Sequence, residues 1–213
     1  MSNISIEKEN IRVEGNNLVI ELTEGLKAQL GINLVPLNTL NIGNVFEKNG
    51  IEWYVVGKTE NSIDVWRKEL LEETMKFDGN SNDFRGSEVE EYLNTTYIQE
   101  EAIPTFGAEN ILEKEIDLTS LDGLETYGMH KTKIHLGTFD DYRNARKNEM
   151  FREKNKCSFW LDTPNSTKEG SGNSYVRIVH SNGNVDCNVC YWDEIGVRPF
   201  ISLNPTILVS FKK

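Results

Sequence analysis

Positive charge is scarce in this chain: Lys and Arg number 23 against 34 Asp and Glu, a formal net charge of −11. That balance opposes the counterion release that drives binding to phosphate backbones, so nucleic acid is not an expected partner. Long hydrophobic runs are lacking too, none approaching the roughly 18–20 residues that span a bilayer, and no membrane partner is expected. The opening MSNISIEKEN has neither the basic segment nor the apolar stretch of a signal peptide. The chain is therefore expected to be soluble and cytoplasmic before any assembly. Cysteines are three, an odd number and too few for a secreted disulfide scaffold, which fits a reducing compartment.

Catalytic signatures are missing as well. No G-x-S-x-G, P-loop or G-x-G-x-x-G occurs, and His130, His135 and His180 have no H-x-x-x-H or H-E-x-x-H spacing. The carboxylate-rich run from Glu100 to Glu115 reads as a solvated surface. Cys187-Asn-Val-Cys190 has the spacing of a zinc knuckle or redox pair, but period two along a strand sends its thiols to opposite faces. Cys187 then reads as a core residue and Cys190 as a surface thiol. No catalytic residue, metal ligand or cofactor is expected.

What remains is ample for a core: 38% hydrophobic, 27% charged and 9% aromatic residues in 213. That length exceeds one domain of about 100–150 residues and falls short of two, so one main fold with an appended element is expected. Residues 1–41 are assigned to an arm. Within it, Ser5–Val13 and Asn17–Leu22 read as strands joined by Glu14-Gly15-Asn16, and Leu26–Leu40 is mixed, broken by Gly31 and Pro36. The hairpin either docks on a neighbour or forms an edge of the same domain.

Residues 42–213 form the main domain. Ile51–Val56 and Ser62–Trp66 predict an antiparallel meander. Ser87-Glu88-Val89-Glu90 is a capping box opening a helix with Val89, Leu93 and Tyr97 on one stripe. After a strand at Lys133–Leu136, Thr138 caps a second helix with Asp141 at its third position. Strands, two short helices, then strands again give an α+β fold. In the stretch Ser174–Cys190, Asn182-Gly183 predicts a type I′ turn with Ser181 facing Asn184. His180 then opposes Val185, Ile178 opposes Cys187 and Val176 opposes Val189, making an apolar core face that includes His180. The other face carries Tyr175, Arg177, Val179, Asp186, Asn188 and Cys190 and meets water or ligand.

Five ordered segments carry a family resemblance: Val45–Val56, Ser87–Asn94, Ser158–Pro164, Asn182–Val185 and Gly196–Leu203, the last reading G-V-R-P-F-I-S-L. From about Asn41 to Val209 the chain resembles an uncharacterised C-type-lectin-like domain family of Gram-positive gut bacteria and their phages. Its last third is similar to the variable region of retroelement-diversified proteins, in which an Asn-rich hairpin before an R-P strand faces the ligand. The resemblance implies a C-type-lectin-like fold and a ligand-binding surface at Tyr175, Arg177, Asp186, Asn188 and Trp192. It also implies a non-catalytic recognition module for a protein or glycan, displayed on a virion as a tail accessory, receptor-binding or capsid-decorating protein. Residues 1–41 would hold virion proteins or support a homo-oligomer. A purely structural virion protein is the alternative. A second is a thiol- or metal-dependent enzyme, because formylglycine-generating oxidases share the broader fold. No Glu-Pro-Asn or Gln-Pro-Asp calcium motif occurs. Arg198, before Pro199, is expected to hold the sheet together through a carboxylate or loop carbonyls, and Trp53 and Trp160 are expected in the core.

Overall fold

Alternation of large apolar residues in Ile51–Lys58 (β5) and Ile63–Arg67 (β6) builds the centre of an eight-stranded sheet. Trp53 and Val55 turn to one face while Tyr54 and Val56 pack on the other. The computed structural model describes residues 11–14, 17–20 and 34–211. Within them, Ile11–Glu14 (β1) and Asn17–Ile20 (β2) pair as an antiparallel hairpin with Glu14 opposite Asn17. Residues 5–10 and 21–22 of the predicted arm strands lie outside the described residues.

The remaining strands of the large sheet are Leu34–Pro36 (β3), Val45–Lys48 (β4), Ile111–Leu112 (β7), Ile134–His135 (β10), Phe200–Leu203 (β14) and Leu208–Ser210 (β15). They run in the order β10-β14-β6-β5-β4-β15-β3, with β7 also on β14. Lys114–Asp117 (β8) pairs with Met129–Thr132 (β9). A three-stranded sheet joins Phe159–Pro164 (β11), Tyr175–Val179 (β12) and Val185–Val189 (β13). All these strand pairings are antiparallel. Residues 34–40, grouped with the arm by sequence, belong to this body: β3 pairs with β15, and Leu37 and Leu40 are core residues.

Two helices cover opposite faces of the large sheet, which is why Phe200–Leu203 is buried at every position. The first, α1, is α-helical at Glu88–Tyr92, π-wound at Leu93–Ala102 and α-helical again at Ile103–Phe106. Ser87 Oγ accepts the Glu90 amide, as the capping box requires, but Glu90 Oε2 takes the Gly86 amide rather than that of Ser87. Val89, Leu93 and Tyr97 enter a core with Trp53, Trp160 and Ile201. The second helix, α2, is Phe139–Lys147, with the reciprocal cap of Thr138 and Asp141, a device contributing about 1 kcal/mol. Its Tyr142 and Ala145 meet Trp66, Phe151, Phe159 and Phe200 in a second core. Trp66 closes over Gly137, where φ is +85° and an added Cβ would meet the indole at 2.6 Å, so only glycine fits.

Arg198 ties loops to this second core. It is 1% exposed, sandwiched between Phe151 and Phe159 at 4.6 and 4.7 Å from the ring centroids. Its guanidinium donates to the carbonyls of Arg67 and Lys68 and to Asn155 Oδ1. Loop carbonyls and an amide, not a carboxylate, are thus its hydrogen-bond partners, and burial draws its pKa down to about 10.

Candidate functional site

The β12–β13 hairpin differs from the predicted one by one residue. Its loop is Ser181-Asn182-Gly183: the Gly183 amide bonds the His180 carbonyl at 2.8 Å and the His180 amide bonds the Asn184 carbonyl at 2.8 Å. Gly183 has φ of +86°, while Asn182 is absent from the positive-φ residues, so this is a type I turn closed by a left-handed glycine, not a type I′ turn. Asn182 Oδ1 accepts the Asn184 amide and Tyr142 of α2 donates to the Gly183 carbonyl, fixing the longer loop.

One added loop residue moves every cross-strand partner by one and exchanges the faces of the second strand. Val176 opposes Asn188, Arg177 opposes Cys187, Ile178 opposes Asp186 and Tyr175 opposes Val189. Directly opposed residues share a face, so Tyr175 and Arg177 do not share one with Asp186 and Asn188. The first strand keeps its expected sides: Val176 and Ile178 are buried and Tyr175 is 48% exposed. Val179 departs from expectation, being fully buried in the second core against Leu161 and Phe159. His180, expected in the core, is half-exposed, with Nδ1 on Ser158 Oγ and Nε2 3.4 Å from Asp186 Oδ2.

The expected contact residues therefore separate. Arg177 is half-buried and donates to Asn165. Asn188 is half-buried and its Oδ1 accepts the Val189 amide. Asp186 is exposed, its carboxyl held below the usual range first by the Cys187 amide and then by His180. Tyr175 and Trp192 remain together at the open end of the ribbon: Tyr175 opposes Val189, whose carbonyl accepts the Trp192 amide. Sequence reasoning missed Tyr191, next to Trp192 in the chain and at 57% the most exposed large apolar side chain described, with Trp192 at 46%. The signal was there in Tyr191-Trp192-Asp193-Glu194, two adjacent aromatics followed by two acids.

The cysteines are reversed. Cys190 is fully buried in the first core and Cys187 is half-buried at the ribbon surface. The shift puts Cys187 on the Tyr175 side, and Cys190 folds inward where its amide bonds the Ser174 carbonyl. Burial pushes the thiols of Cys157 and Cys190 up, the reverse of an activated nucleophile. Tyr97 is raised further, by burial and the adjacent Glu101 carboxylate.

These shifts set an alkaline limit. Unfolded thiols and phenols lose protons near pH 9 and 10, whereas the folded protein retains them. The folded chain thus binds more protons above pH 9, and the associated stability, fully present below it, is lost as pH rises. Melting temperatures followed from neutral pH upward should fall beyond about pH 9; a flat profile would show that these groups are not held protonated.

Among the described residues no helix is long and apolar enough to cross a membrane, and no group of three or more His, Cys, Asp or Glu is placed to hold a metal ion. Residues 63–205 match the family model described as Domain of unknown function (DUF6273), from β6 to just past β14. No curated protein and no solved structure matches the chain.

Proposed function

The chain belongs to the DUF6273 family, and from that premise we propose that it is a non-catalytic recognition module whose contact surface is the open end of the β12–β13 ribbon. The observation that carries this reading is the group of exposed aromatics Tyr175, Tyr191 and Trp192 on a scaffold pinned at its other end to α2. Exposed Tyr and Trp give large contact area at small entropic cost and are enriched where binding energy concentrates. Aromatic faces with Asp193 and Glu194 following them suit a glycan or a protein ligand. The raised thiols speak against the thiol-enzyme alternative. Display on a virion, and the C-type-lectin-like form of the fold, rest on the family resemblance set out above. A truncation testing anchorage by the arm must stop before Leu34, because Leu37 and Leu40 belong to the core.

Tryptophan fluorescence offers a direct test. Trp53, Trp66 and Trp160 are fully buried and Trp192 is 46% exposed, so Trp192 is the residue open to a quencher such as acrylamide. A ligand from a panel of glycans and surface proteins is expected to shield that signal. A ligand that binds without shielding it would place recognition elsewhere.

A further inference from the structure

The aromatic end of the ribbon also carries charge of one sign. Tyr191 and Trp192 run straight into Asp193 and Glu194, and all four side chains are exposed. Among the described residues neither carboxylate takes a hydrogen bond or forms an ion pair. The fold brings a second acidic segment to the same place. The amides of Phe77 and Asp78 both donate to the Cys190 carbonyl, at 2.9 and 3.1 Å, which sets Asp78 beside the turn that presents Tyr191. Lys76, the base of that segment, is held by Glu88 at 2.7 Å. Its pKa is raised, first by that hydrogen bond and further by Glu88, Asp78 and Asp193 through space, against the pull of desolvation. Asp78, Glu88, Asp193 and Glu194 thus stand against one ammonium. Arg177, two positions from Tyr175, is half-buried and directs its guanidinium at Asn165 Oδ1, 3.1 Å away.

The backbone that bears the rings is fixed from below. Asn82 Nδ2 donates to the carbonyls of Tyr175 and Ser166 at 2.8 Å, and Tyr127 donates to Asn82 Oδ1 at 2.7 Å. The Cys190 amide bonds the Ser174 carbonyl at 2.7 Å. A surface pre-formed in this way lowers the ordering cost of binding. Exposed rings attract a cation to their faces, and an unpaired carboxylate beside them adds a charge-assisted hydrogen bond. The net charge of −11 extends that attraction to long range. A neutral sugar would use the rings and leave the carboxylates unmatched, and an acidic partner would be repelled.

We infer that the partner of the aromatic end is a basic protein segment, its Lys or Arg side chains lying over Tyr175, Tyr191 and Trp192 and reaching Asp193 and Glu194. This rests on the aromatic end being the contact surface.

The full chain is titrated with a capped peptide of alternating Arg and Gly, with its Glu and Gly counterpart and with a neutral gluco-oligosaccharide, read by calorimetry and by the shielding of Trp192 from acrylamide. The basic peptide is expected to bind, to shield Trp192 and to weaken with added salt, and the other two probes to do neither. Replacing Asp193→Asn and Glu194→Gln together should lower the affinity about tenfold, roughly threefold for each exposed ion pair, with the melting temperature unchanged because both side chains are exposed. Equal affinity of that double variant, no binding of the basic peptide, or shielding by the oligosaccharide in its place would overturn the basic partner while leaving the aromatic end as the contact surface. Binding of the basic peptide that leaves Trp192 open and survives Trp192→Ala would overturn the contact surface itself, and the inference with it.

Discussion

Arg198→Met is expected to destabilise the protein by about 4 kcal/mol or more and to lower its melting temperature by at least roughly 10 °C. Three effects compete. Removing the charge recovers its desolvation cost, which the drop of the guanidinium to about 10 places at about 3 kcal/mol. Against this, the carbonyls of Arg67 and Lys68 and the Asn155 amide oxygen lose their donors, at about 1–3 kcal/mol each. Stacking on Phe151 and Phe159 is lost too, at about 2 kcal/mol for each desolvated contact. The losses outweigh the gain.

Arg198→Lys should fare little better, because a single ammonium cannot reach the same three acceptors while lying flat between two rings. Thermal denaturation of both variants decides the matter. Wild-type melting for Arg198→Met would show that the buried guanidinium is dispensable and that the aromatic core alone holds these loops.

Much of the architecture was legible in local pattern. The caps at Ser87 and Thr138, the meander of Ile51–Trp66 and the burial of Trp53 and Trp160 follow from short-range chemistry and periodicity, and the helices and strands form there. The hairpin shows the limit. Asn-Gly serves both two-residue and three-residue loops, and the choice was made by Tyr142 reaching Gly183 from a helix 41 positions away. That choice set the faces of Asp186, Cys187 and Asn188, which no alternation of residues along the strand could reveal. The helix shows it again: an i, i+4 stripe correctly placed Tyr97 in the core, but the π winding of Leu93–Ala102 depends on packing. Arg198 was legible as structural from its place before Pro199, while its partners came from distant Asn155 and Lys68.

Removing the aromatic end should cost more binding than any other surface change. Tyr175, Tyr191 and Trp192 are all about half exposed, so truncating them opens no cavity and leaves the cores intact. Contact residues of this kind contribute about 1–2 kcal/mol apiece when covered by a ligand. The triple variant Tyr175→Ala, Tyr191→Ala, Trp192→Ala should therefore bind the best ligand from a glycan and protein panel at least about 100-fold more weakly, with its melting temperature close to that of the wild type. The decisive measurement is that affinity, wild type against triple variant, under identical salt: a loss of this size places recognition at the open end of the ribbon, and equal affinity would contradict it.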